Sequence, residues 1–100
     1  MQTAILVYNL KNGVRPEDYF EFSKKVDQPL IKGYSCVKEF DVHQVVGPEK
    51  SWDFFEVLIV TSWEEFEKAT QNQRHEDHAK EWERYADPDS LKIFYGNKIE

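Results

Sequence analysis

The stretch Phe54–Val60 constrains the fold of this chain more than any other part of its sequence. It reads Phe-Phe-Glu-Val-Leu-Ile-Val, and a run so rich in β-branched and aromatic residues predicts a β-strand. Side chains of a strand point alternately to the two faces of its sheet, and here both sets of positions are mainly apolar. The sequence therefore predicts a sheet that needs cover on both faces, which helices on one side alone do not provide.

A helical region follows the first of four predicted strands. The strands are expected at residues 4–10, 34–46, 52–61 and 91–95. Pro16 opens the helix, with Glu17 and Asp18 in its first turn, and Pro29 is expected to kink or end it. Its spacing predicts an inward-facing stripe made of Tyr19, Phe22 and Val26.

A second helical region lies between the last two strands. Ser62 and Glu65 form a capping box at its start, and the helical pattern continues to Tyr85 with a break near Asn72. The order of elements is therefore β-α-β-β-α-β, which predicts a ferredoxin-like α+β fold with a four-stranded antiparallel sheet. A chain of 100 residues is expected to form a single domain over residues 1–100.

The second apolar face of the sheet predicts a homodimer. A second copy of the same sheet, packed face to face, is the simplest cover for it. The alternative is a monomer with an exposed apolar sheet face, and such large patches are uncommon on monomers.

The charge and the apolar segments of the chain indicate which partners and which location to expect. The net charge is −6 and the pI is near 5.1, which argues against nucleic acid and anionic membranes as main partners. No apolar run is long enough to span a bilayer, and no basic segment precedes the apolar N-terminal stretch, so a cytoplasmic location is expected. The lone Cys36 cannot form an intrachain disulfide and is expected to be a small buried hydrophobe.

Candidate catalytic residues lie on the second helical region. His75, His78, Trp82 and Tyr85 recur at helical spacing and are expected to share one face. An imidazole exchanges protons near neutral pH, so His78 and His75 are candidate acid–base groups, whereas Trp82 and Tyr85 are candidate substrate-binding rings. The alternative is that the two rings belong to the core and the histidines to its solvated rim.

A buried carboxyl is the third catalytic candidate. Glu56 stands between apolar neighbours in a strand, where burial raises the pKa of a carboxyl and suits it to act as a general acid or base. The alternative is an ion pair with a lysine across the dimer or at the sheet edge. Tyr8 on the first strand and Tyr19 on the first helix are candidate substrate-binding residues on opposite walls, or else simply core.

Metal and cofactor chemistry find little support in the sequence. The two histidines three residues apart lack a third ligand at a metal-binding spacing, so neither zinc nor haem is expected. No glycine-rich phosphate loop and no nucleophile elbow is present. The sequence predicts a protein that works without a metal or cofactor.

The chain resembles the RedY-like, or HapK-like, family of the dimeric α/β-barrel superfamily. The resemblance rests on the order of elements, the doubly apolar sheet, and motifs spread over nearly the whole chain. The motifs are Leu-Lys-Asn-Gly-Val at residues 10–14, Pro-Glu-Asp-Tyr at 16–19, Val-Asp-Gln-Pro at 26–29, Val-Lys-Glu-Phe-Asp-Val at 37–42, Asp-Phe-Phe-Glu-Val at 53–57, Ser-Trp-Glu-Glu-Phe at 62–66, Glu-Trp at 81–82 and Tyr-Ala-Asp at 85–87.

The resemblance implies a role in bacterial secondary metabolism, in prodiginine-type or related alkaloid pathways. Such a protein would be a cofactor-independent enzyme that steers the cyclisation or condensation of a small pyrrole- or indole-like metabolite. Relatives in the wider superfamily include polyketide cyclases and cofactor-independent monooxygenases, so the fold alone does not fix the reaction. Two alternatives therefore stay open: a non-catalytic binding or chaperone protein for a hydrophobic metabolite, and a cofactor-independent monooxygenase.

Overall fold

Four strands form one antiparallel sheet in the computed structural model of the chain, which describes residues 1–48 and 50–99. The strands are β1 (Gln2–Tyr8), β2 (Val37–Gln44), β3 (Phe54–Val60) and β4 (Lys92–Gly96), in the sheet order β2-β3-β1-β4. Two helical regions connect them. The first consists of α1 (Pro16–Phe22), a π-helical turn (Ser23–Asp27) and α2 (Gln28–Lys32), and the second of α3 (Trp63–Ala69) and α4 (Gln73–Trp82). The predicted ferredoxin-like α+β fold is confirmed.

One face of the sheet carries the helices and the core. The register pairs Tyr8 with Phe54 and Leu6 with Glu56, so these side chains share that face. Tyr8 and Phe54 pack with residues of the first helical region in one cluster of the core. Phe40 on β2 belongs to a second cluster, under α2 and α3. Cys36 is buried as expected.

The first helical region differs from its predicted pattern at the π-helical turn. Pro29 has no N–H, and its ring would clash with the carbonyl four residues earlier in a regular helix, so the wider turn before it lets the helix continue. The wider turn also moves the inward stripe by one residue. Phe22 is followed on the inside by Asp27, which is buried, whereas Val26 is exposed. The prediction that Val26 faces inward is wrong for this reason.

The second helical region breaks where the sequence predicts it and ends earlier. Asn72 caps α4, since its Oδ1 accepts a hydrogen bond from the backbone N–H of His75 at 2.8 Å. The helix then ends at Trp82, because the chain turns towards the loop after β1. There the backbone N–H of Lys11 donates to the carbonyl of Tyr85 at 2.8 Å. Tyr85 therefore lies beyond α4, and the prediction that it shares the helix face with His78 is wrong.

The opposite face of the sheet is apolar and carries no helix of the described residues. Its side chains are paired in register and half-buried to exposed for the most part: Ile5, Val7, Phe55, Val57, Ile59 and Phe94. His43 stacks on Phe55 at this face, with ring centroids 4.6 Å apart. Within residues 1–48 and 50–99, each helix is too short or too polar to cross a lipid bilayer.

Candidate active site

A cavity of about 220 Å³ lies between the sheet and the second helical region. Most of its wall is apolar and comes from Leu6, Ile31, Phe40, Leu58, Phe66, Ala79 and Leu91. The polar groups on the wall are few: Asp27, Glu56, His75, His78 and the indole of Trp82. A mostly apolar cavity with a small number of convergent titratable groups is the usual form of a small-molecule site. All three predicted catalytic residues lie on this one wall.

Glu56 is the buried carboxyl of the cavity. Its exposed fraction is 5%, and its Oε2 accepts a hydrogen bond from the hydroxyl of Tyr8 at 2.6 Å. Burial raises the pKa of Glu56 to about 8, and the nearby carboxyl of Asp27 adds to the rise, while the hydrogen bond from Tyr8 opposes it. Glu56 has no ion pair among the described residues of the single chain, so a lysine partner at the sheet edge of the same chain does not occur there. The alternative of a lysine from across the dimer stays a prediction.

The two predicted substrate-binding tyrosines lie behind the cavity wall. Tyr8 and Tyr19 have no exposed surface, and neither lines the cavity. Their hydroxyls are hydrogen-bonded to each other, and Nε1 of Trp82 donates to the hydroxyl of Tyr19 at 3.2 Å. Burial raises the pKa of both phenols, and the carboxyl of Glu56 raises it further, so both stay protonated. Tyr8 thus contacts Glu56, whereas Tyr19 contacts Tyr8 and Trp82, and neither tyrosine lines the cavity.

Asp27 holds His78 in the cavity wall. Nε2 of His78 lies 2.7 Å from Oδ1 of Asp27, and the two side chains are 9% and 4% exposed. The other two polar atoms, Nδ1 of His78 and Oδ2 of Asp27, are buried without a hydrogen-bond partner among the described residues. Sequence reasoning missed Asp27, because a regular helix would have turned it away from the cavity. The available signal was its position two residues before Pro29 in a helical stretch.

His75 lies beside His78 at the edge of the cavity. Its Nδ1 is 3.1 Å from the hydroxyl of Tyr34, which also accepts a hydrogen bond from Nδ2 of Asn72 at 3.3 Å. Burial lowers the pKa of His75, and so does the neighbouring imidazole of His78, 5.7 Å away between ring centroids. His75 is therefore held as a neutral imidazole near pH 7.

Trp82 and Tyr85, which were predicted to share one helix face, lie in different places. Trp82 lines the cavity. Tyr85 packs on Phe22 with ring centroids 4.9 Å apart and borders a cleft on the outer surface between helices. Its place beyond the end of α4 takes it away from the cavity wall.

A larger groove of about 480 Å³ adjoins the cavity. The two share Leu6, Leu58 and Phe66 as lining residues, so a ligand in the cavity has apolar space next to it. No cluster of three or more potential metal ligands occurs in the described part of the chain, residues 1–48 and 50–99.

Comparisons with known proteins agree with this architecture. The family profile described as REDY-like protein HapK matches residues 2–99. The crystal structure of HapK from Hahella chejuensis superposes with a TM-score of 0.84 at 18% identity, covering 99% of this chain and 93% of that one. A search of curated protein sequences finds no match.

Two further solved structures share the fold. SnoaB from Streptomyces nogalater, described as a cofactor-independent oxygenase, superposes with a TM-score of 0.73 at 9% identity, covering 99% of this chain and 93% of that one. A protein from Bacteroides fragilis, described as dimeric and ferredoxin-like, has a TM-score of 0.72 at 12% identity, covering 97% and 95% of the two chains. At identities this low, the superpositions establish a common fold, and a common fold does not establish a common function.

Proposed function

The chain belongs to the REDY-like HapK family, and we propose that it is a cofactor-independent enzyme of bacterial secondary metabolism. Its substrate would be a small pyrrole- or indole-like metabolite, which the protein steers through a cyclisation or condensation. The observation that carries this proposal is the wall of the cavity. A carboxyl with a raised pKa and two imidazoles converge there on an otherwise apolar space.

The wall offers both halves of acid–base catalysis. A condensation at a carbonyl needs a base that takes a proton from the attacking group and an acid that gives one to the carbonyl oxygen. Glu56, with its pKa raised to about 8, is the candidate acid. Because Nε2 of His78 bonds to Asp27, the neutral tautomer with its proton on Nε2 keeps a lone pair on Nδ1. Nδ1 is buried without a partner among the described residues, so His78 is the candidate base for a ligand that displaces the side chains covering Nδ1.

His75 supports the same chemistry from the edge of the cavity. Its lowered pKa keeps it neutral, so it adds no positive charge beside His78. The hydrogen bond with Tyr34 fixes the orientation of its ring. We propose it as a second group for proton exchange with the ligand.

The shape of the space supports a flat aromatic substrate. Trp82 and Phe66 provide ring surfaces in the cavity, and its volume of about 220 Å³ is small for a whole metabolite of several rings. The adjoining groove supplies further apolar space through the shared residue Phe66.

Two other functions fit the same cavity. A binding or chaperone protein for a hydrophobic metabolite would use the apolar wall without proton transfer. A cofactor-independent monooxygenase is the second alternative, and the shared fold with SnoaB, which is described as such an oxygenase, supports it.

The proposal is tested with a panel of indole and pyrrole aldehydes and ketones, each supplied with a pyrrole as nucleophile. Product formation is followed by mass spectrometry, with oxygen consumption measured in parallel. Turnover that His78→Gln abolishes while ligand binding persists supports the enzyme. Equal binding with no turnover supports the binding protein, and oxygen uptake that depends on the ligand supports the monooxygenase.

We also propose that the protein is a homodimer in which two sheets pack face to face. The support is the apolar sheet face opposite the helices, where Phe94 is 54% exposed. The Bacteroides fragilis neighbour, which shares the fold and is described as dimeric, supports the dimeric state. Placement in the cytoplasm belongs to this proposal as well.

A further inference from the structure

We propose that the cavity recognises a neutral hydrogen-bond acceptor, such as the carbonyl oxygen of an aromatic ketone, through Oε1 of Glu56. The chain of hydrogen bonds from Trp82 through Tyr19 and Tyr8 decides which oxygen of Glu56 carries the proton. The inference rests on the proposed function only for the indole skeleton chosen as a probe.

The indole of Trp82 fixes the direction of the chain. An indole N–H donates and has no acceptor site, so Nε1 of Trp82 donates to the hydroxyl of Tyr19 at 3.2 Å. The hydroxyl of Tyr19 then has one acceptor within reach, the hydroxyl of Tyr8. Tyr8 in turn donates to Oε2 of Glu56 at 2.6 Å. In this direction every donor in the chain has an acceptor.

If the hydrogen bonds ran in the opposite direction, one hydroxyl proton would have no acceptor. If Glu56 donated through Oε2, Tyr8 would donate to Tyr19, and the hydroxyl proton of Tyr19 would have no acceptor. Tyr19 has no exposed surface, so water does not replace the missing partner. Buried donors without acceptors are rare in folded proteins because their desolvation is uncompensated.

This fixed direction places the acidic proton of Glu56 on the oxygen that is free. Oε2 already accepts from Tyr8, so neutral Glu56 carries its proton on Oε1. Glu56 lines the cavity. Its Oε1 has no hydrogen bond to any of the described residues, and it is not one of the fully buried polar atoms that lack a partner among them. Burial keeps the pKa of Glu56 raised, so the group is neutral near pH 7. Oε1–H is then a donor that a ligand acceptor satisfies.

Several titratable groups face Glu56 and enter any pH dependence. They are Tyr8 on β1, Tyr19 on α1, Asp27 on the π-helical turn, and His75 and His78 on α4. A variant that alters Glu56 alone is therefore the necessary control. Glu56→Gln is suited to this, because Tyr8 can donate only to the amide oxygen. The amide NH₂ of the variant must then face the cavity as a donor that does not titrate.

The test compares two ligands of similar size, 3-acetylindole and 3-isopropylindole, in which the C=O unit of the ketone is replaced by a CH–CH3 unit without an acceptor. Dissociation constants are measured by titration at about pH 6 and about pH 9.5, on either side of the raised pKa. Wild type should bind the ketone about fivefold more tightly at the lower pH, the scale of one hydrogen bond, and lose this preference at the higher pH. Glu56→Gln should keep the preference at both.

Tyr8→Phe gives a second variant with a distinct expectation. Without the donor on Oε2 the ionised carboxyl is less stabilised, so the preference for the ketone should persist to higher pH than in wild type. Taking the ratio of two ligands cancels a general loosening of the fold, which would weaken both equally.

A ketone preference in wild type that is the same at both pH values would overturn the inference, as would its loss in Glu56→Gln. A second measurement needs no ligand. The infrared band of a protonated carboxyl should appear near pH 6 in wild type and be missing in Glu56→Gln. If neither indole binds, the indole-like function fails, and acetophenone against isopropylbenzene decides the inference by the same comparison.

Discussion

Glu56 and Asp27 place two carboxyl groups on the wall of one small cavity. Their mutual repulsion and the burial of Glu56 favour the neutral form of Glu56. Among the described residues, Asp27 has His78 as a partner, whereas Glu56 has only the neutral hydroxyl of Tyr8. The two carboxyls therefore differ in role: one holds an imidazole and the other keeps a proton.

The raised pKa of Glu56 predicts that the protein loses stability as pH rises. Below the ordinary value of 4.5 both the folded and the unfolded chain carry this proton, and between 4.5 and about 8 only the folded chain keeps it. The free energy of unfolding therefore falls through this window. His75, whose pKa is lowered, acts in the opposite direction.

Urea unfolding followed by circular dichroism measures this effect. Wild type and Glu56→Gln are compared at about pH 5 and about pH 8, because the variant removes the titrating group and keeps the other titrating groups. The wild-type midpoint should fall more between the two pH values than that of the variant. Parallel curves for the two proteins would show that Glu56 ionises at its ordinary pKa.

His78 is predicted to be needed for turnover. The variant His78→Gln separates this requirement from any contribution of His78 to folding. In His78→Gln the amide nitrogen can still donate to Asp27, so the fold should be kept, whereas the group that exchanges a proton is gone. The rate should fall about 10²-fold or more, the usual scale for a positioned acid–base group.

His78→Ala is the contrasting variant. It leaves the carboxylate of Asp27 buried without a partner, which costs about 3–5 kcal/mol of stability in comparable pairs. An undiminished rate in the well-folded His78→Gln would contradict the catalytic role and move the proton transfer to Glu56 or His75.

At the level of elements, the π-helical turn shows where a sequence pattern misleads. The spacing of Tyr19 and Phe22 continues to Val26 in a regular helix, and the spacing alone does not show how the helix accommodates Pro29. One extra residue in the turn exchanges a valine for Asp27 on the inside. The local pattern predicted the helix correctly. Which side chain faces the cavity, however, depended on a shift of one residue in the helix.

Capping was predictable because it depends on neighbours in sequence. Ser62 caps α3 through its side-chain oxygen as predicted, and Asn72 caps α4 at the position where the sequence predicted a break. The position of Tyr85 was not, because the end of α4 is set by backbone hydrogen bonds with the loop after β1. Such pairings join residues far apart in the chain.

Asn72 is predicted to stabilise both α4 and the edge of the cavity. Asn72→Ala should lower the free energy of unfolding by about 1 kcal/mol through the lost cap. Asn72→Asp keeps the capping oxygen and loses the donor to the hydroxyl of Tyr34 and to the carbonyl of Ala69, so it should retain most of the stability if the cap dominates. Urea titrations of both variants check this, with Ser62→Ala as the control at the other cap. Equal losses for Asn72→Ala and Asn72→Asp would mean that the donor contacts with Tyr34 and Ala69, and not the cap, stabilise the helix.

At the scale of the whole molecule, alternation along the strands predicted the two sheet faces well. The helix face carries Glu56 and Leu58, and the opposite face carries Phe55 and Val57, as period two requires. Alternation does not give depth within a face. Tyr8 lies on the same face as Glu56, yet it lies beneath the cavity wall because α1 packs Tyr19 directly over it.

The apolar face without helices yields the last prediction, which is that its disruption turns a dimer into a monomer. Phe94 and Tyr95 are neighbours on β4 that point to opposite faces, paired with Ile5 and Ala4 respectively, and both are largely exposed. A lysine at position 94 would place a charge in the proposed contact between sheets, where burying it without a partner is costly. A lysine at position 95 would lie on the helix side of the sheet, next to Trp63.

Phe94→Lys should therefore elute and scatter light as a monomer at micromolar concentration, while Tyr95→Lys stays dimeric like wild type. Circular dichroism of both variants confirms that the fold is kept. Because the cavity is built from one chain's sheet and helices, a monomeric Phe94→Lys should still bind an indole ligand. A wild-type protein of monomer mass would contradict the dimer, and a monomeric Tyr95→Lys beside a dimeric Phe94→Lys would place the contact on the helix side of β4 instead.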